Sequence, residues 1–133
     1  MFGTGFPDLL HAEVDVSLFR SLAVTGRVGG IPDFLLTASA GALGILALSS
    51  DSALVPRHAL GLEVAYGVLL ARFRDEEDGA SSSPQLARRT TPYVSGGYLF
   101  TSSGGLHLRL MAGALRADER WSGDFRFAIG GLI

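Results

Sequence analysis

The stretch Leu10–Val28, LHAEVDVSLFRSLAVTGRV, alternates between two kinds of side chain. Its even positions are apolar as far as Leu18, while its odd positions carry a histidine, Glu13, Asp15 and a serine. After the short link Phe19–Ser21 the alternation resumes, with apolar residues on one face and small or charged residues on the other. Because side chains of a β-strand alternate between its two faces, this pattern predicts two strands joined by a tight turn.

Five further segments alternate with the same period of two, which brings the predicted strands to seven. Each segment has a continuous apolar face and an opposite face of small, polar or charged residues. The five segments are Phe34–Leu48, Ala59–Leu70, Pro92–Phe100, Leu106–Gly113 and Phe125–Ile133.

The composition of the second face decides how the strands are arranged. In a soluble β-sandwich that face meets water, which favours Thr, Lys, Glu and Gln. Here it is rich in Gly, Ala and Ser with a few charges, as in the first strand pair and around Glu63. Such residues suit a narrow interior crowded by facing strands. The pattern therefore predicts an all-β fold, an antiparallel up-and-down transmembrane β-barrel of about eight strands with its apolar faces toward lipid.

The predicted links between strands differ in length. Arg74–Thr91 and Ala117–Asp124 are long and polar, and alternation of the chain direction places both at the same end of the barrel. The links at the other end are short apart from Ser49–Arg57. Transmembrane barrels have longer loops on one side, so the two polar links are expected to be the outer loops.

Composition limits the possible classes of function. The 133 residues are 47% hydrophobic and 18% charged, with a formal net charge of −2. The chain has no Cys, which excludes disulfide scaffolds and thiolate sites. The negative net charge offers no basic surface for nucleic acid.

The chain resembles small bacterial outer-membrane β-barrel proteins over nearly all of its length. The most specific part is the last strand, FRFAIGGLI, whose alternate apolar residues resemble the segment read by the assembly machinery, although Ile133 stands where Phe or Trp is usual. Such barrels have an even number of strands, at least eight. Either Phe2–Phe6 is a rudimentary eighth strand, or residues 1–133 form a single barrel domain lacking its first strand.

The resemblance implies a Gram-negative outer-membrane location. It also implies membrane lipids and the outer-membrane assembly machinery as partners, with no nucleic acid. The expected role is structural or surface-binding, with a lumen filled by side chains, no catalysis and no cofactor.

Charged residues on the predicted inward faces form the candidate site. Three acids and three bases balance, and because an unpaired buried charge costs several kcal/mol, we interpret them as a structural ion-pair network in the lumen. In the first hairpin Glu13 is expected opposite Arg27, or Asp15 is if the register slips by two. An ion path is the alternative. The six residues are Glu13, Asp15, Arg27, Glu63, Arg109 and Arg126.

Other functions remain open at this point. A lipid-modifying barrel enzyme would use His11 or His107, the latter with Ser103 as a nearby nucleophile. A soluble β-barrel could bind a small apolar ligand. A helical membrane protein would use Phe34–Leu48 and His58–Phe73, although the first run spans only about 22 Å as a helix against about 30 Å of hydrocarbon. No metal-ligand spacing is present.

Two further features concern the ends of the predicted strands. The acidic run Asp75–Asp78 is interpreted as a solvated loop, with cation or partner binding as the alternative. Aromatic residues near strand ends predict a girdle at the membrane interface. They are Phe34, Phe73, Tyr93, Phe100 and Phe125.

Overall fold

Eight β-strands account for the fold in a computed structural model that describes residues 1–6, 9–32, 34–48, 58–73, 85–117 and 120–131. The strands are β1 (Phe2–Phe6), β2 (Leu10–Phe19), β3 (Leu22–Ile31), β4 (Leu35–Ala47), β5 (His58–Phe73), β6 (Gln85–Thr101), β7 (Leu106–Ala117) and β8 (Arg120–Gly131).

Each strand pairs antiparallel with its neighbours in the chain, and the first strand closes the barrel. β1 pairs with β2 and also with β8, where Phe2 lies opposite Ile129 and Phe6 lies opposite Phe125. The prediction of an all-β, up-and-down antiparallel barrel of eight strands is therefore confirmed. Of the two ways to reach eight strands, the structure has Phe2–Phe6 in that role.

The pairing register determines how steeply the strands run around the barrel. Followed from Phe2 through β2, β3 and β4, the pairing reaches Val68 on β5. Followed the other way through β8, β7 and β6, it reaches His58 on the same strand. The ten-residue difference is the shear of the barrel, and it requires a strand tilt of about 40°. Inward side chains that are far apart in sequence are therefore brought to the same height.

Alternate side chains point into and out of the barrel, as the sequence predicts. On β5, Leu62 and Val64 are 60% and 59% exposed, whereas Glu63 between them is 1% exposed. The interior also contains two clusters of buried apolar side chains. One comprises Ala23, Leu43, Ala59, Leu99 and Met111, and the other comprises Ala65, Tyr93 and Leu115.

Two predicted strand boundaries were wrong. β6 begins at Gln85 and not at Pro92, and β7 and β8 leave only residues 118 and 119 between them, so the predicted link Ala117–Asp124 lies mostly within strands. Near that rim both faces of a strand carry polar residues, and the alternation that reveals a strand disappears. The expected contrast in loop length is also absent, because each end has one long link, over residues 48–57 and 74–84.

The two apolar runs considered as membrane helices are strands. They form β4 and β5, which pair over thirteen residues from Leu35↔Ala71 to Ala47↔Ala59. Among the described residues there is no helix with the length and apolar character needed to cross a bilayer.

Candidate functional site

The candidate site is the charged interior of the barrel, and the structure places all six predicted residues on inward faces. Five are buried, with Glu63 1% and Arg109 2% exposed. Asp15 is partly exposed, since its side chain retains 19% of its accessible surface. Alternation explains the placement, because each residue shares its face with the small residues of its strand.

Arg109 on β7 is the centre of this network. Its Nη1 forms an ion pair with Glu13 and lies 3.1 Å from Oδ2 and 3.2 Å from Oδ1 of Asp15, both on β2. Its Nη2 lies 3.7 Å from Oε2 of Glu63 on β5. One guanidinium thus joins three strands across the lumen, which a planar group with five donors can do.

Arg126 on β8 extends the network toward the other half of the barrel. Its Nη1 donates to Oε2 of Glu63 at 3.0 Å, and its Nε lies 2.8 Å from Oδ2 of Asp124. It also donates to the hydroxyl of Ser95 on β6. Glu63 is therefore shared by two arginines, and the contacts of the two arginines connect five strands.

Asp124 is a site residue that the sequence analysis missed. It is 5% exposed and faces inward two residues before Arg126. The sequence placed it in a link, although its even position continues the inward series of Arg126 and Ala128. With Asp124 the buried network holds four carboxylates and three arginines. A protonated His11, whose Nε2 lies 4.0 Å from Oε2 of Glu13, would balance the count.

Tyr93 was predicted in the aromatic girdle, and that prediction was wrong. The side chain is 7% exposed and lies inside the barrel, on the same face of β6 as Ser95. Arg27 donates from Nη2 to the Tyr93 hydroxyl at 2.5 Å, and its guanidinium carbon lies 4.9 Å from the ring centroid. Arg126 lies 5.7 Å from the same centroid. Tyr93 thus links the two arginines through its hydroxyl and its ring face.

The register of the first hairpin is the one predicted without slippage. Glu13 and Arg27 are opposite residues in the β2–β3 pairing, while Asp15 lies opposite Thr25. The alternative register, with Asp15 opposite Arg27, is not the one observed. The carboxylates of Glu13 and Asp15 both contact Arg109, across the lumen, which the sequence spacing of the hairpin does not reveal.

The histidines considered for catalysis have other contacts. Nδ1 of His107 lies 2.8 Å from the Thr101 hydroxyl on the neighbouring strand. Ser103, the expected nucleophile, is exposed in the turn between β6 and β7, where Gly105 adopts a φ of +83° that favours glycine. Across the parts of the chain that the structure describes, no group of three or more metal-ligating side chains is suitable for a metal ion.

The lumen is filled by side chains over the described residues. The cavity there is narrow, with room for about one water molecule. Polar side chains around this cavity come from four strands: Arg27, Thr37, Ser39, Thr91, Tyr93 and Asp124. In the part of the chain that the structure describes, ion pairs and this narrow cavity lie between the strands.

The remaining predicted girdle residues lie at different heights. Phe34 precedes β4 and Phe100 is next to the end of β6, as expected for strand ends. Phe125 is 53% exposed but lies in the middle of β8, because that strand begins five residues earlier than predicted. The side chain of Phe73 and the acidic run Asp75–Asp78 lie outside the described residues.

The chain matches no protein-family model, no curated protein and no solved structure. Function must therefore be inferred from the barrel and from the placement of its side chains.

Proposed function

We propose that this chain is an outer-membrane β-barrel protein of the Gram-negative type with a structural or surface-binding role. The observation that supports it is the inverted distribution of side chains. Large apolar residues such as Leu62, Val64 and Phe127 are 40–60% exposed on the outside, while arginines and carboxylates fill the inside. Soluble monomers seldom expose apolar patches beyond a few hundred Å².

The height of the apolar surface matches a bilayer. On β5 the outward residues from Leu60 to Leu70 are uncharged. That run rises about 33 Å along the strand, or about 25 Å along the barrel axis at a tilt of about 40°, which is the usual height of the lipid-facing band. Two exposed arginines on the outer face lie at the edge of this band: Arg88 pairs with Leu70 on β5, and Arg116 stands one residue before the end of β7.

The alternative, a soluble barrel that binds a small apolar ligand, has less support from this distribution of side chains. Such a barrel needs an apolar cavity of a few hundred Å³, since ligand pockets are mostly lined by hydrophobic side chains. The lumen here carries Glu63, Arg109 and Arg126 at its centre and leaves room for about one water molecule beside Tyr93.

Because side chains fill the lumen, the proposed role depends on the outer face of the barrel and on its loops. Membrane lipids are the partners of the outer face, and the alternating last strand, Phe125–Ile133, is the segment offered to the assembly machinery. We propose no cofactor, no nucleic acid and no catalysis. Phospholipid hydrolysis by the purified protein, lost on replacement of His107, would instead support the enzyme alternative.

The first experiment asks whether the protein requires a membrane. The denatured chain is diluted into aqueous buffer and into phosphatidylcholine vesicles, and folding is followed by far-UV circular dichroism and protection from protease. We expect a β-sheet spectrum and protection with vesicles only. A folded monomer in buffer without lipid or detergent would overturn the proposal.

A matched pair of variants tests which face contacts lipid. Leu106 and Leu110 lie on the outer face of β7, and each is 44% exposed. Leu106 begins the strand, whereas Leu110 lies about 10 Å deeper along the barrel axis. Leu110→Arg should destabilise the folded state by about 2–4 kcal/mol and Leu106→Arg by about 0–1 kcal/mol. Equal effects in urea titrations with vesicles would contradict a lipid-facing β7.

A further inference from the structure

The two rims of the barrel differ in their exposed charges. At the rim where β6 begins and β7 ends, exposed arginines stand on the outer face at Arg88 and Arg116. Arg89 and Arg120, also exposed, have the opposite parity and lie at the mouth of the barrel. The opposite rim has Arg20 in the turn between β2 and β3. We infer that the outer-face pair, Arg88 and Arg116, binds the headgroup phosphates of anionic lipids in the leaflet at that rim.

The register places an aromatic side chain beside this pair. Arg116 on β7 lies opposite Trp121 on β8, and Trp121 is 59% exposed. Both side chains belong to the outward series of their strands, which continues downward through Leu110 and Phe127. Tryptophan at the top of a lipid-facing band is typical of the membrane interface. Arg116 therefore stands at the depth of the lipid headgroups.

The second arginine lies further out on the adjacent strand. Tyr93 on β6 pairs with Leu115, and Arg88 precedes Tyr93 by five residues, so Arg88 lies four residues further out than Arg116, or about 13 Å along the strand. The two arginines therefore stand at different depths near the same rim. Guanidinium groups bind phosphate through two parallel hydrogen bonds, and anionic lipids therefore complement this surface better than zwitterionic lipids do.

The outward face of β7 changes from the apolar Leu110 to Arg116 toward this rim. This inference rests on the proposed membrane location, because only a bilayer presents headgroups at that level.

The test uses the single tryptophan of the chain as its reporter. Trp121 is that tryptophan, and it lies opposite Arg116. The protein is inserted into vesicles of phosphatidylcholine and phosphatidylglycerol that contain a trace of either lipid carrying the same energy-accepting fluorophore. Energy transfer from Trp121 reports how much of each labelled lipid lies close to it. We expect the fraction of phosphatidylglycerol near Trp121 to be about twofold above its fraction in the whole bilayer. Labelled phosphatidylcholine should show no such excess. Molar salt should remove the excess, because it shortens the screening length to about 3 Å.

Variants identify the arginines responsible. Arg88→Gln with Arg116→Gln should abolish the excess, and Arg116→Lys should keep part of it because the charge remains. Arg20→Gln, at the opposite rim, should leave it unchanged. Protection from protease is measured for each variant to establish insertion, and the single glutamine variants replace the double variant if that one fails to insert.

Two outcomes would overturn the inference about anionic lipids, and a third would overturn its premise, the membrane location. Equal transfer to both labelled lipids in the parent protein would show that the rim has no preference, as expected if neighbouring acids neutralise it. An excess that survives in the double variant would place the preference elsewhere. Absence of transfer to either label, together with digestion by protease, would instead refute the membrane location itself.

Discussion

Replacing Arg109 by Met removes the cation at the centre of the lumen while keeping a side chain of similar length. Arg109 contacts three carboxylates, and the substitution does not leave all three equally without a partner. Glu63 keeps Arg126, whose Nη1 lies 3.0 Å from its Oε2. Asp15 retains 19% of its side-chain surface and can be hydrated. Glu13, with 2% of its side chain exposed, is left buried without its arginine.

The expected loss follows from that one stranded carboxylate. Breaking a buried pair by removing one partner costs about 3–5 kcal/mol, mainly because the remaining charge is neither hydrated nor paired. We therefore expect Arg109→Met to lower the free energy of unfolding by about 3–5 kcal/mol. Adding Glu13→Gln should recover a large part of the loss, because the amide carries no charge to strand.

The assay is a urea titration of the folded protein in lipid vesicles, followed by circular dichroism. All variants are compared at the same pH. Arg20→Met is the control, because it removes an exposed arginine from a turn. Surface charges of this kind contribute about 0–1 kcal/mol.

Two results would refute this account of the network. If Arg109→Met unfolds at the same urea concentration as the parent, the guanidinium is not the partner that holds Glu13. If Glu13→Gln fails to recover stability in the Arg109→Met background, the loss arises from packing around the long side chain and not from a stranded charge.

Three further variants test other features of the barrel. Gly97→Val should destabilise the folded barrel by more than about 2 kcal/mol in the same titration, because a Cβ at this position meets the backbone of β7. Gly26→Val should be neutral, because a Cβ there has open space. Equal effects of the two substitutions would contradict the close approach of Gly97 to β7. Tyr93→Phe should cost about 1.5–3 kcal/mol because Arg27 loses a charged hydrogen bond, and an unchanged midpoint would remove Tyr93 from the network. Deletion of residues 125–133 removes most of β8 and leaves edges unpaired in lipid, so cell fractionation should find none of it assembled in the outer membrane.

The sequence predicts the faces of the strands well but not their full lengths. Alternation identifies β5 and β7 because a continuous apolar face lies opposite a face of mostly small, polar or charged residues, and it assigns Glu63 and Arg109 to the interior. It fails at the rim, where polar residues occupy both faces, and for that reason Asp124 was assigned to a link.

The contacts between side chains across the lumen cannot be predicted from the sequence. The hairpin register puts Glu13 opposite Arg27, yet Glu13 and Asp15 both reach Arg109 on a strand far along the chain. Which strands meet across the interior depends on the shear of the closed barrel, and no local pattern encodes that quantity. Tyr93 was misplaced for a related reason, because an aromatic residue near a predicted strand end is equally compatible with either face.

The short strand β1 has a consequence for the order in which the barrel forms. Phe2 pairs with Ile129, 127 positions later, while every other pairing of neighbouring strands joins consecutive segments through a hairpin. Pairing between distant residues carries the largest loop-closure entropy and is slow. We therefore expect the consecutive hairpins from β1 to β8 to form first as an open curved sheet, and the five-residue pairing between β1 and β8 to form last. Until that step the arginines and carboxylates of the interior face an unsealed space, so we expect closure, and not hairpin formation, to be the step that encloses the charged interior.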